Sequence, residues 1–313
     1  MSLKKIAPRA GTSVSTVSRV LNQPDYKCKN PELEARIWAA AQKISYTPNT
    51  AAQTLKSGAP QIKTTPLTFD IFLTRFPSLS QDLFFSELFE SLKKELLRQQ
   101  CVPGKFLTLP EVTSMLKEKS SFSVTDTHAD GIILLGKCPA ELISTLQNHY
   151  HNIVGIDRNP TNFDYDEVIC SGTTAAVTAM NYLISLGHKK IAYIGDCSYE
   201  ARYIGYYQSL ISHNLPLDYS NIYPTSQTRE EGMKTMELIL QREELPSAIF
   251  CANDSTALGV FDCLQRHRKK GYIPSVISID NILESEQTKP MLTTIDIPKK
   301  EMAILFNCIK LQT

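Results

Sequence analysis

At 313 residues the chain is too long for one compact core, and two or three domains are expected. Its 42% hydrophobic and 21% charged residues place it among ordinary soluble globular proteins. The net charge of +1 hides an asymmetry: residues 1–58 hold nine Lys/Arg against three Asp/Glu, while the remainder holds 24 against 29. A basic head on an acidic body suits contact with a polyanion. No N-terminal apolar run precedes a cleavage site and no stretch approaches a membrane span, so a cytoplasmic protein without a membrane partner is expected. The eight cysteines are scattered, with no CxxC pair and no histidine at ligand spacing; they are expected to be reduced core residues. His149 and His151 fall in a loop-like stretch, as surface residues rather than ligands. Neither a metal nor a cofactor is expected.

Leu3, Ile6, Ala7 and Ala10 repeat at helical spacing. Pro8 falls inside that helix, where proline removes a backbone bond and costs about 3 kcal/mol. Either the helix starts later or the head is marginal. Gly11 supplies a turn and Ser13 a good N-cap. Val17 and Leu21 then share one face, which can dock on the first helix, giving a helix–turn–helix. The exposed positions Val14, Ser15, Thr16, Ser18, Arg19 and Asn22 offer short hydrogen-bonding groups and one guanidinium, fit for base edges and phosphates in a major groove. Asn30-Pro31-Glu32 starts a third helix. Its apolar face is Leu33, Ile37, Ala40, Ala41 and Ile44, with Trp38 off the stripe. Residues 49–58 read as an amphipathic turn or two, too short to be stable alone, and on composition alone as a linker.

Val17-Ser18-Arg19-Val20-Leu21-Asn22, Ile44-Ser45-Tyr46-Thr47-Pro48-Asn49 and Ala51-Ala52-Gln53-Thr54-Leu55 closely resemble the lactose/galactose repressor family of bacterial regulators. The resemblance runs from about Leu3 to the chain end and is most specific over the first 58 residues. It implies a head at 1–46, a hinge helix and linker at 47–60 and an effector-binding, dimerising domain at 61–313. That domain is expected to have one subdomain at about 61–158 plus 289–313 and another at about 159–288. The hinge is implied to fold on DNA, pair with its twin in a homodimer, and wedge Leu55 into the minor groove beside Lys56, kinking the duplex. Arg19, Val14 and Ser15 are then the base readers, and Thr16, Ser18 and Asn22 hold phosphates.

From Pro66 onward, short apolar runs alternate with helical stretches. The runs are 69–73, 131–135, 153–156, 168–170, 191–194, 248–251, 276–279 and 292–295. The helical stretches are roughly 82–99, 139–148, 173–186, 199–213, 228–241, 254–269 and 299–311. This alternation predicts an α/β body of parallel sheets covered by helices. So many units exceed one sheet, and two doubly wound subdomains with a cleft at the C-terminal strand ends are expected. The resemblance implies the same architecture, shaped like periplasmic sugar-binding proteins.

No GxGxxG, P-loop, GxSxG or HExxH occurs, and nothing orients a nucleophile beside Asp196, Asp254 or Asp280, so no catalytic residue is assigned. The strand ends suit a binding cleft instead. Asp157, Asn253 and Asp280 follow apolar runs and could hold sugar hydroxyls, although Asp and Asn also cap helices there. For Asp254 the two roles stand level. The resemblance places a clamping arginine at Arg202 and effector-contacting apolar residues at Phe84 and Phe85. Two adjacent aromatics cannot both face a helix's core, so one should be free to stack on a ring. Gln227 stands where the family frequently has an aromatic, which weakens a stacked hexose. Gly131–Lys137 resembles galactose and β-galactoside regulators, which implies a galactoside effector.

The expected protein is thus a DNA-binding transcriptional regulator, a repressor on family grounds, reading a pseudo-palindromic operator under control of a small effector. The alternative is a cytoplasmic sugar-binding or carbohydrate-converting protein with a degenerate head. Pro8 motivates it, as does the end of the chain at Thr313, where the family continues with a linker and terminal strands. Either the core is complete without them or the chain is truncated.

Overall fold

A computed structural model describes residues 3–22, 26, 28, 30–42, 66–117, 129–157, 159–198, 200–267 and 271–306. The head consists of α1 (Leu3–Ala10), α2 (Val14–Asn22) and α3 (Pro31–Gln42). Ile6, Ala7 and Ala10 of α1 meet Val17, Val20 and Leu21 of α2 and Ile37, Ala40 and Ala41 of α3 in one buried cluster. α1 begins at Leu3 and runs through Pro8, so a later start does not accommodate the proline. The turn is closed by Gly11, whose φ of +66° is left-handed, while Thr12 N–H donates to Ala7 O at 3.0 Å. Ser13 caps α2, its Oγ accepting from Thr16 N at 3.1 Å, and Asn30 Oδ1 accepts from Leu33 N at 3.1 Å to start α3. Trp38 departs from its expected place off the apolar stripe. It is 2% exposed, because Leu97 and Arg98 from the body cover it.

The body holds two five-stranded parallel sheets among the described residues. The first runs β2-β1-β3-β4-β5, with β1 Thr68–Leu73, β2 Val102–Thr108, β3 Gly131–Leu135, β4 Asn152–Asp157 and β5 Asp166–Ile169. The second runs β10-β9-β8-β6-β7, with β6 Ile191–Gly195, β7 Ile222–Pro224, β8 Ala248–Cys251, β9 Ser275–Asp280 and β10 Thr293–Asp296. Helices α4 (Leu83–Arg98), α5 (Leu109–Lys117) and α6 (Ala140–His149) connect strands of the first sheet; α7 (Gly172–Ser185) leads into the second. Within the second follow α8 (Ala201–Ser212), α9 (Arg229–Ile239) and α10 (Asp254–Arg266). Finally α11 (Lys299–Leu305) returns to pack on α4, and Phe306 meets Phe69 edge-on at 5.4 Å. No helix among the described residues is long and apolar enough to cross a membrane.

Two details of strand membership differ from expectation. β5 pairs with β4, so the first sheet continues past 158, and β10 pairs with β9, so the second continues past 288. Each crossing therefore falls one strand later than the sequence suggests, because pairing rather than apolar content decides which sheet claims an edge strand. β2 was not anticipated at all. Its Pro103 and Gly104 read as loop, yet an edge strand tolerates both. A bulge lets Lys105 N donate to Asp70 Oδ1 at 2.6 Å, and a Cβ at Gly104 would stand 2.2 Å from that oxygen. Asp70 is 1% exposed, and its other oxygen accepts from Tyr150 Oη at 2.8 Å.

Candidate DNA interface and effector cleft

On α2, Val14, Ser15 and Arg19 are exposed, while Thr16 and Ser18 are half-buried beside the core-facing Val17 and Val20. Arg19 Nη2 donates to Ser15 Oγ at 3.5 Å, and its guanidinium stands 5.8 Å from the Tyr26 ring centroid. These contacts hold the cation along the outer face of α2. Ser15 and Thr16 also share hydroxyl contacts with Ser13 at 3.2 and 2.9 Å, so cap and outer face form one network. Asn22 ends α2. Leu55 and Lys56, with the whole stretch 47–60, lie outside the described residues.

In each sheet the chain reverses direction next to its first strand, between β1 and β3 and between β6 and β8. Such switch points open a crevice at the carboxyl ends of the strands. At β6/β8 that place is filled by Arg202, which is 0% exposed. Its Nε lies 2.6 Å from Glu200 Oε1, Nη1 donates to Ala252 O at 2.8 Å, and Nη2 donates to Gln227 Oε1 at 3.0 Å. Burial opposes the charge, and the Glu200 carboxylate more than offsets it, raising the arginine's pKa above its ordinary value. Arg202 therefore meets the cleft already neutralised and bonded, not as a free clamp.

Gln227 has a left-handed φ of +66° and is 2% exposed. Its oxygen also accepts from Arg75 Nη1 at 3.3 Å, and Arg75 Nη2 donates to Ser226 O at 3.2 Å. Arg75 follows β1 of the first sheet, so it bridges the two subdomains. With two guanidiniums on the oxygen, Gln227 Nε2 is left as a buried donor without a partner among the described residues. Asn253 completes the group: Nδ2 donates to Gln227 O at 3.0 Å, and Oδ1 caps α10 by accepting from Thr256 N at 3.0 Å.

Asp254, for which cap and ligand stood level, is neither. Oδ1 accepts from Ser278 Oγ and Thr294 Oγ1, each at 2.6 Å, and Oδ2 accepts from Ile282 N at 2.9 Å. Burial, with the Asp280 charge second, pushes its pKa up to about 6. Asp280, at 2% exposure and φ +134°, ends β9 in a conformation that disfavours most side chains; its charge also acts on Arg202. Lys299 Nζ donates to Asp280 O at 2.6 Å and Asn281 O at 2.9 Å, while lying 3.4 Å from Glu87 Oε2 on α4. Leu283 N also donates to Glu87 Oε1 at 2.8 Å. Glu87 and Lys299 thus form a second bridge between subdomains.

The expectation that Phe84 or Phe85 is free to stack does not hold. They are 2% and 0% exposed and meet each other edge-on at 5.1 Å. The first turn of α4 is enclosed on more than one side: Lys299 Nζ stands 5.6 Å from the Phe84 ring, and a Cβ on Gly136 would touch Phe85 at 3.2 Å. Asp157 closes β4 at 6% exposure; burial raises the pKa of the nearby Tyr165 hydroxyl, with the charges of Glu167 and, least, Asp157 adding to it. The structure thus brings Arg202 and Asn253 together through Gln227 and sets Asp280 within electrostatic reach. Arg75, Glu200 and Lys299 were missed. Arg75 carried the same signal as the residues that were found, a polar group just beyond a parallel strand.

A three-helix head with an exposed hydroxyl and guanidinium face, joined to a two-sheet cleft domain, defines a DNA-binding regulator of the effector-binding kind. Residues 2–49 match the model of the bacterial regulatory proteins of the lacI family, and residues 180–305 match that of the periplasmic binding protein-like domain. The chain thus carries a DNA-binding head of the lacI family and, behind it, a periplasmic binding protein-like domain. It is 28% identical to the HTH-type transcriptional repressor PurR of Vibrio atlanticus, with 96% of this chain and 88% of that protein covered. To the probable HTH-type transcriptional repressor ExuR of Bacillus subtilis it is 26% identical, covering 97% and 89%. Among solved structures, the transcriptional regulator CelR in complex with cellobiose superposes with a TM-score of 0.66 at 20% identity, covering 97% of this chain and 90% of that one.

Proposed function

We propose that the protein is a cytoplasmic repressor that binds a pseudo-palindromic operator as a homodimer and releases or grips it according to a sugar bound in the cleft. The observation that carries the DNA half is the solvent-facing Ser15–Arg19 pair on a capped second helix. Arg19, Val14 and Ser15 read base edges, Thr16, Ser18 and Asn22 hold phosphates, and Leu55 beside Lys56 acts as the minor-groove wedge. The cleft half rests on the buried Gln227 Nε2 donor beside Arg75, Arg202, Asn253 and Asp280. Groups of both polarities at strand ends suit a ligand dense in hydroxyls, and Asp157 faces that role from the first sheet. An effector acts only through its differential affinity for the open and closed cleft.

The DNA reading is tested by operator selection followed by fluorescence anisotropy across a salt series. Specific affinity should fall steeply with salt, and Arg19→Ala should weaken operator binding by about 1–3 kcal/mol while relaxing sequence preference. Unchanged specific binding in that variant would overturn the groove assignment. A thermal-shift panel of galactosides, other sugars, hexuronates and purine bases tests the cleft. Stabilisation by a galactoside supports the finest form of the reading, and stabilisation by purines alone replaces the sugar while leaving the regulator.

A further inference from the structure

Helices α9 and α10 approach so closely that their backbones touch. A Cβ on Gly232 would stand 2.2 Å from Thr256 O, and one on Gly259 would stand 1.9 Å from Arg229 O. Only glycine permits that crossing, and it fixes the register of everything farther along the pair. Toward the C-terminal ends, away from the cleft, the register brings Glu237 of α9 against Cys263 and His267 of α10 and its cap. Their ligand atoms, a carboxylate oxygen, Sγ and an imidazole nitrogen, all lie within 4.8 Å of one another. Cys263 and His267 are four apart, one helical turn, and so share a face. Thiolate, imidazole and carboxylate form the donor set that zinc prefers, with bonds of about 2.0–2.3 Å in a tetrahedron. His267 and Glu237 are exposed, so their side chains are the ones able to turn toward the buried Cys263 Sγ.

We propose that Glu237, Cys263 and His267 form a zinc site that clamps the ends of α9 and α10. Cys263, 0% exposed, is the floor of the site, and the other two close it at the rim, leaving the fourth position to water. Binding forms an Sγ–zinc bond and releases the thiol proton to solvent, so affinity rises with pH. The N-termini of these two helices carry Gln227 and Asn253 of the cleft, so the clamp stiffens the half of the cleft they belong to. The proposal departs from the expectation of a chain without a histidine at ligand spacing.

The test uses tag-free full-length protein freed of metal by chelator. Zinc at micromolar concentration should raise its melting temperature, and cobalt should give the near-ultraviolet thiolate-to-metal band. His267→Ala and Glu237→Gln, both near the rim, should melt like the parent in chelator, yet bind zinc at least tenfold more weakly. Cys263→Ser should abolish the cobalt band. The proposal is overturned if zinc leaves the parent's melting unchanged, if the variants respond as the parent does, or if cobalt gives no thiolate band.

Discussion

Arg202 illustrates how a buried ion changes what a residue can do. Glu200 and Arg202 are both nearly solvent-free, so removing one leaves the other buried and uncompensated. Breaking such a pair typically destabilises a protein by about 3–5 kcal/mol. Arg202→Ala should therefore lower the melting temperature, and adding Glu200→Ala should restore part of the loss; a double variant no better than the single would show that the pair is not the cause. Asp254 gives a pH signature. Its pKa in the folded protein, about 6, lies above its unfolded value, so the folded state holds the proton more tightly. Stability from this group is complete below about pH 4 and is lost as pH rises through 6. Two pH units correspond to roughly 3 kcal/mol at most. Urea midpoints measured from pH 4 to 7.5 should fall less steeply in Asp254→Asn, where the amide oxygen still accepts from Ser278 and Thr294. Equal slopes in the two proteins would remove Asp254 as the cause.

At the scale of elements, the head is a short construction with one flaw. α1 has eight residues, and Pro8 cannot donate to the Lys4 carbonyl one turn earlier. The helix persists because Ile6, Ala7 and Ala10 are buried against the other two helices. Pro8→Ala should stabilise the head by up to about 3 kcal/mol, read as greater hydrogen-exchange protection of α1 amides. Protection that stays level would mean that packing has already absorbed the strain. The three helices were legible because each has a periodic apolar face and two have caps, Ser13 before α2 and Asn30 before α3. The body's core strands were legible for a related reason, since strands covered on both faces are continuous apolar runs. β2 was not, because its fitness as a strand depends on lying at an edge beside Asp70, which no local pattern expresses.

On the scale of the molecule, the bridges between the subdomains among the described residues include Arg75 to Ser226 and Gln227, and Lys299 with Glu87 to the end of β9. A third contact seats the head on the body, where Arg98 lies 3.5 Å from Glu34 and 5.7 Å from the Trp38 ring. Trp38 is the single tryptophan in the chain, so its fluorescence reports this docking alone. Leu97→Ala combined with Arg98→Ala should shift the emission to the red, as the indole gains water, while the body's melting changes little. Emission that does not move would place the head apart from the body in solution.

The sequence by itself determined the helix–turn–helix, the parallel α/β body and the rule that polar groups beyond strand ends line a cleft. Each of these follows from local periodicity, capping chemistry or strand–helix alternation within a few residues. The tertiary structure alone decided the rest. It showed that Arg202 is neutralised by Glu200, that Phe84 and Phe85 are both enclosed, and that Trp38 is covered from another domain. It also turned Gln227, which the sequence marked as a departure, into the hub between two arginines. These outcomes depend on which distant groups share a small volume, because burial and pairing set the energy of a charge or a ring, and neither is encoded by its neighbours in the chain.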